Sequence, residues 1–196
     1  MVKRLKLGID LDGVVSDFDG AFRALCKEMF GKPVYNDGPS DWEWSNYGLT
    51  SSEKEAVWDR IAGSKNWWLR LSPLSDTEEL RGCQWDDWYE PIFITSRVPT
   101  LGASVARQSA EWLETHYRID LPTVLVASNK GELANALQLD AFIDDKPENC
   151  LDVLHWTYPR GEVFLQDASH NAAFAAPTGI HRASSLNNFL RRIKQL

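Results

Sequence analysis

Short apolar runs alternate along this chain with longer segments of helical periodicity, and this alternation constrains the fold more than any other feature. The five apolar runs lie at residues 5–9, 91–95, 123–126, 141–143 and 162–165. Strand-length runs separated by amphipathic helices are typical of a parallel sheet that helices cover on both faces. The sequence therefore predicts an α/β fold with a parallel sheet of five strands.

The segment between the first and second runs breaks this alternation. Helical periodicity predicts helices at 16–30, 105–117, 130–137 and 184–196. Residues 32–90 are instead rich in Trp, Asp, Ser, Pro and Gly, with one helix-like stretch at 52–61. We interpret residues 32–90 as a small, mostly helical cap, inserted into a core domain that residues 1–31 and 91–196 form together.

Composition excludes several classes of protein. The chain has 196 residues, a net charge of −7 and no run of Lys or Arg, so it lacks the basic surface that binds nucleic acids. No stretch reaches the ~20 uncharged apolar residues of a membrane span. Cys26, Cys83 and Cys150 have the spacing of neither a zinc site nor a disulfide framework. We therefore expect a cytoplasmic protein that acts on a small molecule.

Polar side chains follow four of the predicted strands at the points where the strands end. They are Asp10 and Asp12 after the first, Thr95 and Ser96 at the second, Lys130 after the third, and Asp144 and Asp145 after the fourth. In an open parallel sheet, ligands bind beyond the carboxyl ends of the strands. We therefore expect acids, hydroxyls and an amine to meet at one edge of the sheet.

The four carboxylates of this set predict a metal ion. Asp10 and Asp12 leave the same side of an extended chain because one residue separates them, and Asp144 and Asp145 add two further charges. Such a cluster repels itself at neutral pH unless a hard divalent cation binds it or some carboxyl groups stay protonated. A site of oxygen ligands suits Mg²⁺ together with phosphate and water.

Each fragment taken alone also has a structural explanation. Asp-x-Asp-Gly is a common turn, Thr95 and Ser96 are typical of a helix cap, and Lys130 suits the solvated first turn of a helix. A calcium loop is a poor fit, since Val14 and Ala21 occupy positions where such a loop needs oxygen ligands. The occurrence of complementary groups at four different strand ends favours a functional site.

These residues carry a resemblance to a known superfamily. Motifs one to four of the haloacid dehalogenase superfamily resemble, in order, Asp10-Leu-Asp12-Gly13-Val14, Thr95-Ser96, Lys130 and Phe142-Ile-Asp144-Asp145. The 5′(3′)-deoxyribonucleotidase group is similar in Asn66-Trp-Trp-Leu-Arg-Leu-Ser-Pro73, Ile94-Thr-Ser96 and Ser169-His-Asn171. The chain departs from this pattern at Arg97, where proline is usual, and in the fourteen residues that separate Lys130 from Asp144.

The resemblance implies a Rossmann-like core with a type 1 helical cap, and an enzyme that hydrolyses phosphate monoesters. Asp10 would be the nucleophile that forms an aspartyl-phosphate, and Asp12 the general acid and base. Mg²⁺ would be bound by Asp10, the backbone carbonyl of Asp12 and Asp144, with support from Asp145. Thr95, Ser96 and Lys130 would hold the oxygens of the phosphate.

The cap is expected to recognise the leaving group, and the resemblance implies a nucleoside monophosphate. Phe18, Trp67 and Trp68 are our predicted base pocket, because aromatic rings stack on nucleobases. The same rings are equally expected if they only pack the cap against the core. A phosphatase for sugar or other small phosphate esters and a catalytically silent nucleotide-binding module stay open as alternatives. A receiver domain is excluded, since it has no cap and places its Lys last.

Overall fold

The computed structural model of the protein describes residues 4–31, 38–74, 77–81 and 88–195. Within these ranges six parallel strands form one sheet in the order β3-β2-β1-β4-β5-β6. The strands are β1 (Leu5–Ile9), β2 (Tyr89–Thr95), β3 (Thr123–Val126), β4 (Ala141–Asp144), β5 (Glu162–Gln166) and β6 (Ile180–Ala183). The α/β class and all five predicted strands are confirmed.

The sixth strand was not predicted from the sequence. β6 is four residues long and has two polar residues, His181 and Arg182, at its centre, so it forms no apolar run. It lies at the edge of the sheet and pairs only with β5. An edge strand can keep polar side chains partly exposed, and for this reason hydrophobic periodicity misses it.

In the part of the chain that the structure describes, six α-helices connect and cover the strands. They are α1 (Phe18–Phe30), α2 (Ser51–Ala62), α3 (Val105–Tyr117), α4 (Lys130–Leu137), α5 (Pro147–Thr157) and α6 (Leu186–Ile193). The capping residues explain several of these bounds: Asp17 accepts a hydrogen bond from Gly20 N at the start of α1, and Gly31 ends it at a φ of 61°. No helix in the described ranges is long and apolar enough to cross a membrane.

The strands alternate their side chains between two hydrophobic layers. Phe93, Ile143 and Phe164 contribute to the layer that includes α1, α3 and α6, together with aromatic residues of the cap. Their neighbours along the same strands, among them Ile92, Ile94, Phe142, Val163 and Leu165, belong to the layer of α4 and α5. This period of two, with apolar residues on both faces, is what a fully covered parallel sheet requires.

The described part of the predicted cap contains α2 and three short 3₁₀ helices, Ser45–Tyr47, Trp67–Arg70 and Glu78–Leu80. The predicted helix at 52–61 is confirmed as α2, which begins at a capping box formed by Thr50 and Glu53. The start of the predicted cap at residue 32, like Cys83, lies outside the described residues. Its predicted end at residue 90 falls inside β2, which begins at Tyr89.

The order of the strands creates one switch point. β1 lies between β2 and β4, so the chain first builds the sheet outward through β2 and β3 and then crosses over to β4, β5 and β6. The connections after β1 and after β4 consequently leave in opposite directions, and a crevice opens beyond the carboxyl ends of these two strands. The sequence places acids at both ends.

Candidate active site

Three aspartates meet at the switch point. Asp10 follows β1, and its N–H donates to Ile143 O of β4 at 3.0 Å. Asp144 ends β4, and Asp145 follows it. One carboxylate oxygen from each of these three aspartates lies within 4.8 Å of the other two, and all three residues are buried. The adjacency of β1 and β4 therefore builds a site with the ligand chemistry of a divalent cation.

Lys130 is the positive charge of this cluster. It begins α4 and is only 1% exposed, and its Nζ donates to Asp10 Oδ1 and, at 2.7 Å, to Asp144 Oδ2. Burial alone lowers the pKa of Lys130, but the charges and hydrogen bonds of the two aspartates raise it further than burial lowers it. Lys130 therefore stays protonated, and its ammonium group points at the aspartates.

The acids of the cluster hold their protons more tightly than exposed acids do. Burial raises the pKa of Asp10, Lys130 lowers it, and the charges of Asp144 and Asp12 raise it, with the result at about 7. Burial and the same neighbouring carboxylates raise the pKa of Asp145 well above its usual range. The Oδ1 atom of Asp145 is buried and has no hydrogen-bond partner among the described residues. A bound cation would favour the charged forms of these carboxyl groups and give Asp145 Oδ1 a partner.

Gly13 makes room for Asp145. Its φ is 81°, and a Cβ atom on it would lie 1.8 Å from Asp145 Oδ2. A side chain at this position would therefore both strain the backbone and displace the carboxylate. The glycine that follows Asp12 in the sequence is explained by this close approach.

Amide and imidazole side chains hold the β4 aspartates in place. Asn149, in the first turn of α5, donates from Nδ2 to both carboxylate oxygens of Asp144 at 3.0 and 3.1 Å. Asn171 donates to Asp145 O at 2.7 Å, and His170 Nε2 lies 3.3 Å from Asp145 Oδ2. Burial lowers the pKa of His170. These contacts fix the orientation of the acids, and Asn149 also lines the cavity that contains Asp10.

Asp12 belongs to a different group of contacts. Its carboxylate accepts hydrogen bonds from Arg97 Nε at 3.0 Å, from Arg97 Nη2 at 2.7 Å and from Ser16 Oγ at 2.8 Å. It is not among the three carboxylates that come together at the switch point. The side chain of Asp12 thus stands apart from the three clustered carboxylates, and the ligand role that the resemblance implied for its backbone carbonyl stays a prediction.

Thr95 and Ser96 lie at the end of β2 and line the same cavity as Asp10 and Lys130. Thr95 is buried, and its Oγ1 accepts a hydrogen bond from Arg97 N at 3.3 Å. Ser96 is exposed and donates to Ala127 O at 2.8 Å. Both residues therefore lie at the wall of the cavity, and their contact with phosphate oxygens stays a prediction.

The cavity has a volume of about 340 Å³ and an aromatic side opposite the strand ends. Its aromatic lining residues are Phe18, Trp42, Trp44, Trp58 and Trp68. Trp42 and Trp58 are partly exposed, whereas the other three are buried. The two partly exposed tryptophans among these lining residues are thus ones that the sequence analysis did not assign to the base pocket.

The predicted base pocket divides into three different environments. Phe18 and Trp68 line the cavity, but Trp67 does not; it lines a separate cavity beside α1. Trp68 is 1% exposed, and its Nε1 donates to Val98 O at 2.9 Å. Trp67 packs edge-on against Trp68 with ring centroids 4.9 Å apart. The Trp pair therefore packs the predicted cap against the segment after β2, and its tandem position in the sequence does not distinguish such packing from contact with a ligand.

Sequence reasoning missed several residues of the site. Arg97 could have been found because it departs from the motif pattern, and an arginine expected in the same site as four acids is expected to form an ion pair. Asn149 follows Pro147 in the first turn of a helix, a position from which amides often reach back to a strand end. No signal in the sequence separated Trp58 from the other tryptophans.

Solved structures share this fold. A haloacid dehalogenase-like family hydrolase from Xanthomonas campestris aligns over 100% of this chain and 96% of its own, with a TM-score of 0.58 and 11% identity. A haloacid dehalogenase-like family protein from Streptococcus pneumoniae aligns over 97% of this chain and 98% of its own, with a TM-score of 0.56 and 11% identity. At these identities the likeness establishes the fold.

Relatives in sequence are more specific. The chain is 26% identical over 153 residues to a Chlorobaculum tepidum protein named "Putative 5′(3′)-deoxyribonucleotidase", covering 73% of this chain and 70% of the relative. It is 25% identical over 157 residues to the mitochondrial 5′(3′)-deoxyribonucleotidase of Homo sapiens, covering 74% of this chain and 64% of the relative. The alignments thus span about two thirds of the relatives' own lengths.

One family model matches residues 3–185, a range that includes every strand and every predicted catalytic residue. Its description is 5′ nucleotidase, deoxy (pyrimidine), cytosolic type C protein. The match confirms the resemblance read from the strand-end motifs. The chain belongs to this deoxyribonucleotidase family and, with it, to the phosphoric monoester hydrolases of the haloacid dehalogenase superfamily.

Proposed function

We propose that this chain hydrolyses nucleoside or deoxynucleoside 5′-monophosphates, with Mg²⁺ as cofactor and a phosphorylated Asp10 as intermediate. The observation that carries the proposal is the buried contact of Lys130 with Asp10 and Asp144 in a cavity with aromatic walls. The names of the relatives support the class of substrate.

Asp10, Asp144 and Asp145 are the residues that would hold Mg²⁺. Their mutual distances and the buried, unpartnered Oδ1 atom of Asp145 suit a hard cation with oxygen ligands. When bound, the ion would offset the repulsion between the carboxylates and an anionic phosphate. The buried Lys130 already supplies one positive charge for the same purpose.

Asp10 and Asp12 carry the covalent steps. One carboxylate oxygen of Asp10 attacks phosphorus, the bond from phosphorus to the leaving oxygen breaks, and Asp12 gives that oxygen a proton. Water then attacks the phosphoryl group on Asp10, and Asp12 takes a proton from the water. Inorganic phosphate leaves, and Asp10 is free again.

Thr95, Ser96 and Lys130 would hold the remaining oxygens of the phosphate. All three line the cavity that contains Asp10. Donors aimed at these oxygens stabilise the charge that moves onto them in the transition state. Since Lys130 already contacts Asp10, it is placed to keep the nucleophile and the phosphate together.

The leaving group would enter between the aromatic residues of the cavity. Trp58 and Trp42 line this cavity and are partly exposed, and stacking on a base contributes about 1–3 kcal/mol. Among the residues predicted from sequence, Phe18 and Trp68 would form the wall behind them. The partner of the protein is then a small phosphorylated molecule, met in the cytoplasm.

A panel of phosphate esters tests the proposal. We expect hydrolysis of deoxynucleoside 5′-monophosphates that requires Mg²⁺ and stops reversibly when a chelator is added. The panel should include sugar phosphates and 4-nitrophenyl phosphate at equal concentration. A preference for sugar phosphates over every nucleotide would transfer the proposal to the other class of phosphatase, and no hydrolysis of any ester would refute it.

A further inference from the structure

Arg97 is a fully buried cation that the proposed chemistry does not use. Its side chain has no exposed surface, and its guanidinium makes a two-point ion pair with Asp12 through Nε and Nη2. Arginine forks of this kind fix both the distance and the plane of a carboxylate. The carboxylate concerned is the one that would move protons in the reaction.

Three parts of the chain hold the guanidinium in turn. Nη2 donates to Ser16 Oγ at 2.9 Å, and Nη1 donates to Ser109 Oγ of α3 at 3.0 Å. The ring of Trp68 lies 4.8 Å from Arg97 Cζ, measured to the ring centroid. The loop after β1, helix α3 and the predicted cap therefore all contact the Arg97 side chain, which in turn binds the carboxylate of Asp12.

We propose that Arg97 is a positioning residue, which holds the carboxylate of Asp12 in one orientation at the wall of the catalytic cavity. This inference rests on the proposed function, because it gives Asp12 the role of general acid and base. A proton donor displaced by about 1 Å can lose about a hundredfold in rate. A rigid fork is one means of preventing such a displacement.

The contacts argue against a direct role of Arg97 on phosphate. Both nitrogens on the side of Asp12 are engaged with its carboxylate, and the third donates to Ser109. A phosphate oxygen would have to displace Asp12 to obtain the same two-point contact. Lys130, whose Nζ reaches Asp10 directly, is better placed for that task.

The contact with Trp68 extends the role of Arg97 to the cap. Trp68 lies against the guanidinium and also donates from Nε1 to the carbonyl of the next residue, Val98. The cap is thereby attached to the segment that orients the general acid. A cap that packs badly on the core should consequently disturb protonation of the leaving group, beyond any effect on binding.

Arg97→Lys tests the proposal, because it keeps the charge and removes the fork. The first turnover of an alkyl ester, a deoxynucleoside monophosphate or glycerol phosphate, should slow about ten- to a hundredfold, since an alkoxide needs a proton to leave. The first-turnover burst of 4-nitrophenol from 4-nitrophenyl phosphate should change less than about twofold, since nitrophenolate leaves without one. Arg107→Lys, on the exposed side of α3, should leave both rates unchanged.

A second variant guards against a folding defect. Ser16→Ala removes a hydroxyl that contacts both Arg97 and Asp12, and it should show the same preference for the aryl ester with a smaller loss. In the Asp12→Asn background, Arg97→Lys should add almost nothing to the loss, because Arg97 acts through Asp12. Thermal unfolding measures whether each variant is folded.

The outcomes separate the inference from the proposed function. Equal losses on both esters in folded variants, or losses that multiply in the Asp12→Asn background, would overturn the positioning role while the phosphatase proposal stands. A wild-type protein that hydrolyses neither ester with Mg²⁺ would overturn both.

Discussion

Two clusters of side chains contribute to the walls of the candidate catalytic cavity, and different forces hold them. The ion cluster consists of Asp10, Lys130, Asp144 and Asp145: hydrogen bonds from Lys130 connect Asp10 with Asp144, and Asp145 lies beside them. The aromatic cluster consists of Phe18, Phe22, Trp44, Trp58 and Trp68; the ring centroids of its contacting pairs are 4.4–6.2 Å apart, in stacked, tilted and edge-on orientations. The ion cluster depends on the direction of its hydrogen bonds, whereas the aromatic cluster depends on how the shapes of its rings fit together.

The two clusters differ in how many arrangements of their side chains are energetically acceptable. A buried charge without partners is so costly that the ion cluster tolerates few arrangements, and each residue type reports its role. Aromatic rings pack in many orientations at similar free energy. An aromatic residue in the sequence therefore does not indicate whether its ring packs in the core or contacts a ligand.

The largest effect is expected where the ion cluster loses its nucleophile. Asp10→Asn should lower kcat by roughly 10⁴-fold or more, because the amide is nearly isosteric but a poor nucleophile. Its melting temperature without metal should not fall, since burial and neighbouring acids already disfavour the charge of Asp10. The matched control is Asp167→Asn, an exposed aspartate directly after β5. Turnover near the wild-type rate in Asp10→Asn would contradict the covalent mechanism.

Metal removal tests the same cluster from the ligand side. A chelator should abolish turnover, and Mg²⁺ should restore it and raise the melting temperature of the wild-type protein, because a ligand bound only by the folded state stabilises that state. Asp144→Asn should lose most of this Mg²⁺-induced shift, whereas Asp120→Asn, an exposed control, should keep it. A full shift in Asp144→Asn would show that the ion binds elsewhere.

The aromatic cluster should respond in stability where its rings are buried. Trp68→Ala is expected to lower the free energy of unfolding by about 3–5 kcal/mol, because it leaves a large cavity. It should slow alkyl esters more than 4-nitrophenyl phosphate, since it also removes the ring that packs on Arg97. Chemical denaturation measures the loss. A variant as stable as the wild type would mean that the ring is not part of the core.

The partly exposed ring of Trp58 should respond in specificity instead. Trp58→Ala should lower kcat/KM for a deoxynucleoside 5′-monophosphate roughly ten- to two-hundredfold, corresponding to about 1–3 kcal/mol of stacking. Hydrolysis of a small ester that lacks a base should scarcely change. Equal losses on both substrates would assign Trp58 to packing, together with Trp68.

The smallest effect is a pH dependence of stability in the metal-free protein. The folded pKa of Asp10 is about 7 against an unfolded value of 3.8, so the folded state binds more protons between these values. The stability contributed by this group therefore falls as pH rises from about 4 to 7. Melting temperatures measured across this range should show a smaller fall in Asp10→Asn than in the wild type. His170, with its lowered pKa, acts in the opposite direction, and the difference between the two proteins cancels it.

The sequence by itself determined the α/β class, five strands and the polar strand ends. These features depend on local periodicity and on the rule that parallel strands present their carboxyl ends at one edge. Asp10, Lys130 and Asp144 could be found because each lies within one residue of a strand end or at the first residue of a helix. A motif whose residues are close together in the sequence can be interpreted without knowledge of the tertiary structure.

Only the tertiary structure decided which side chains these residues meet. Arg97 and Asp12 are 85 positions apart, and Trp68 reaches Val98 across 30 positions. β6 pairs at an edge where burial, and with it periodicity, is weak. The separation of Trp58 from Trp67 arises because the packing of the cap turns one ring toward the cavity and buries the other. Contacts between distant segments depend on how the helices and strands pack in three dimensions. A hydrophobic pattern predicts which residues are buried, but it does not say which of them touch each other.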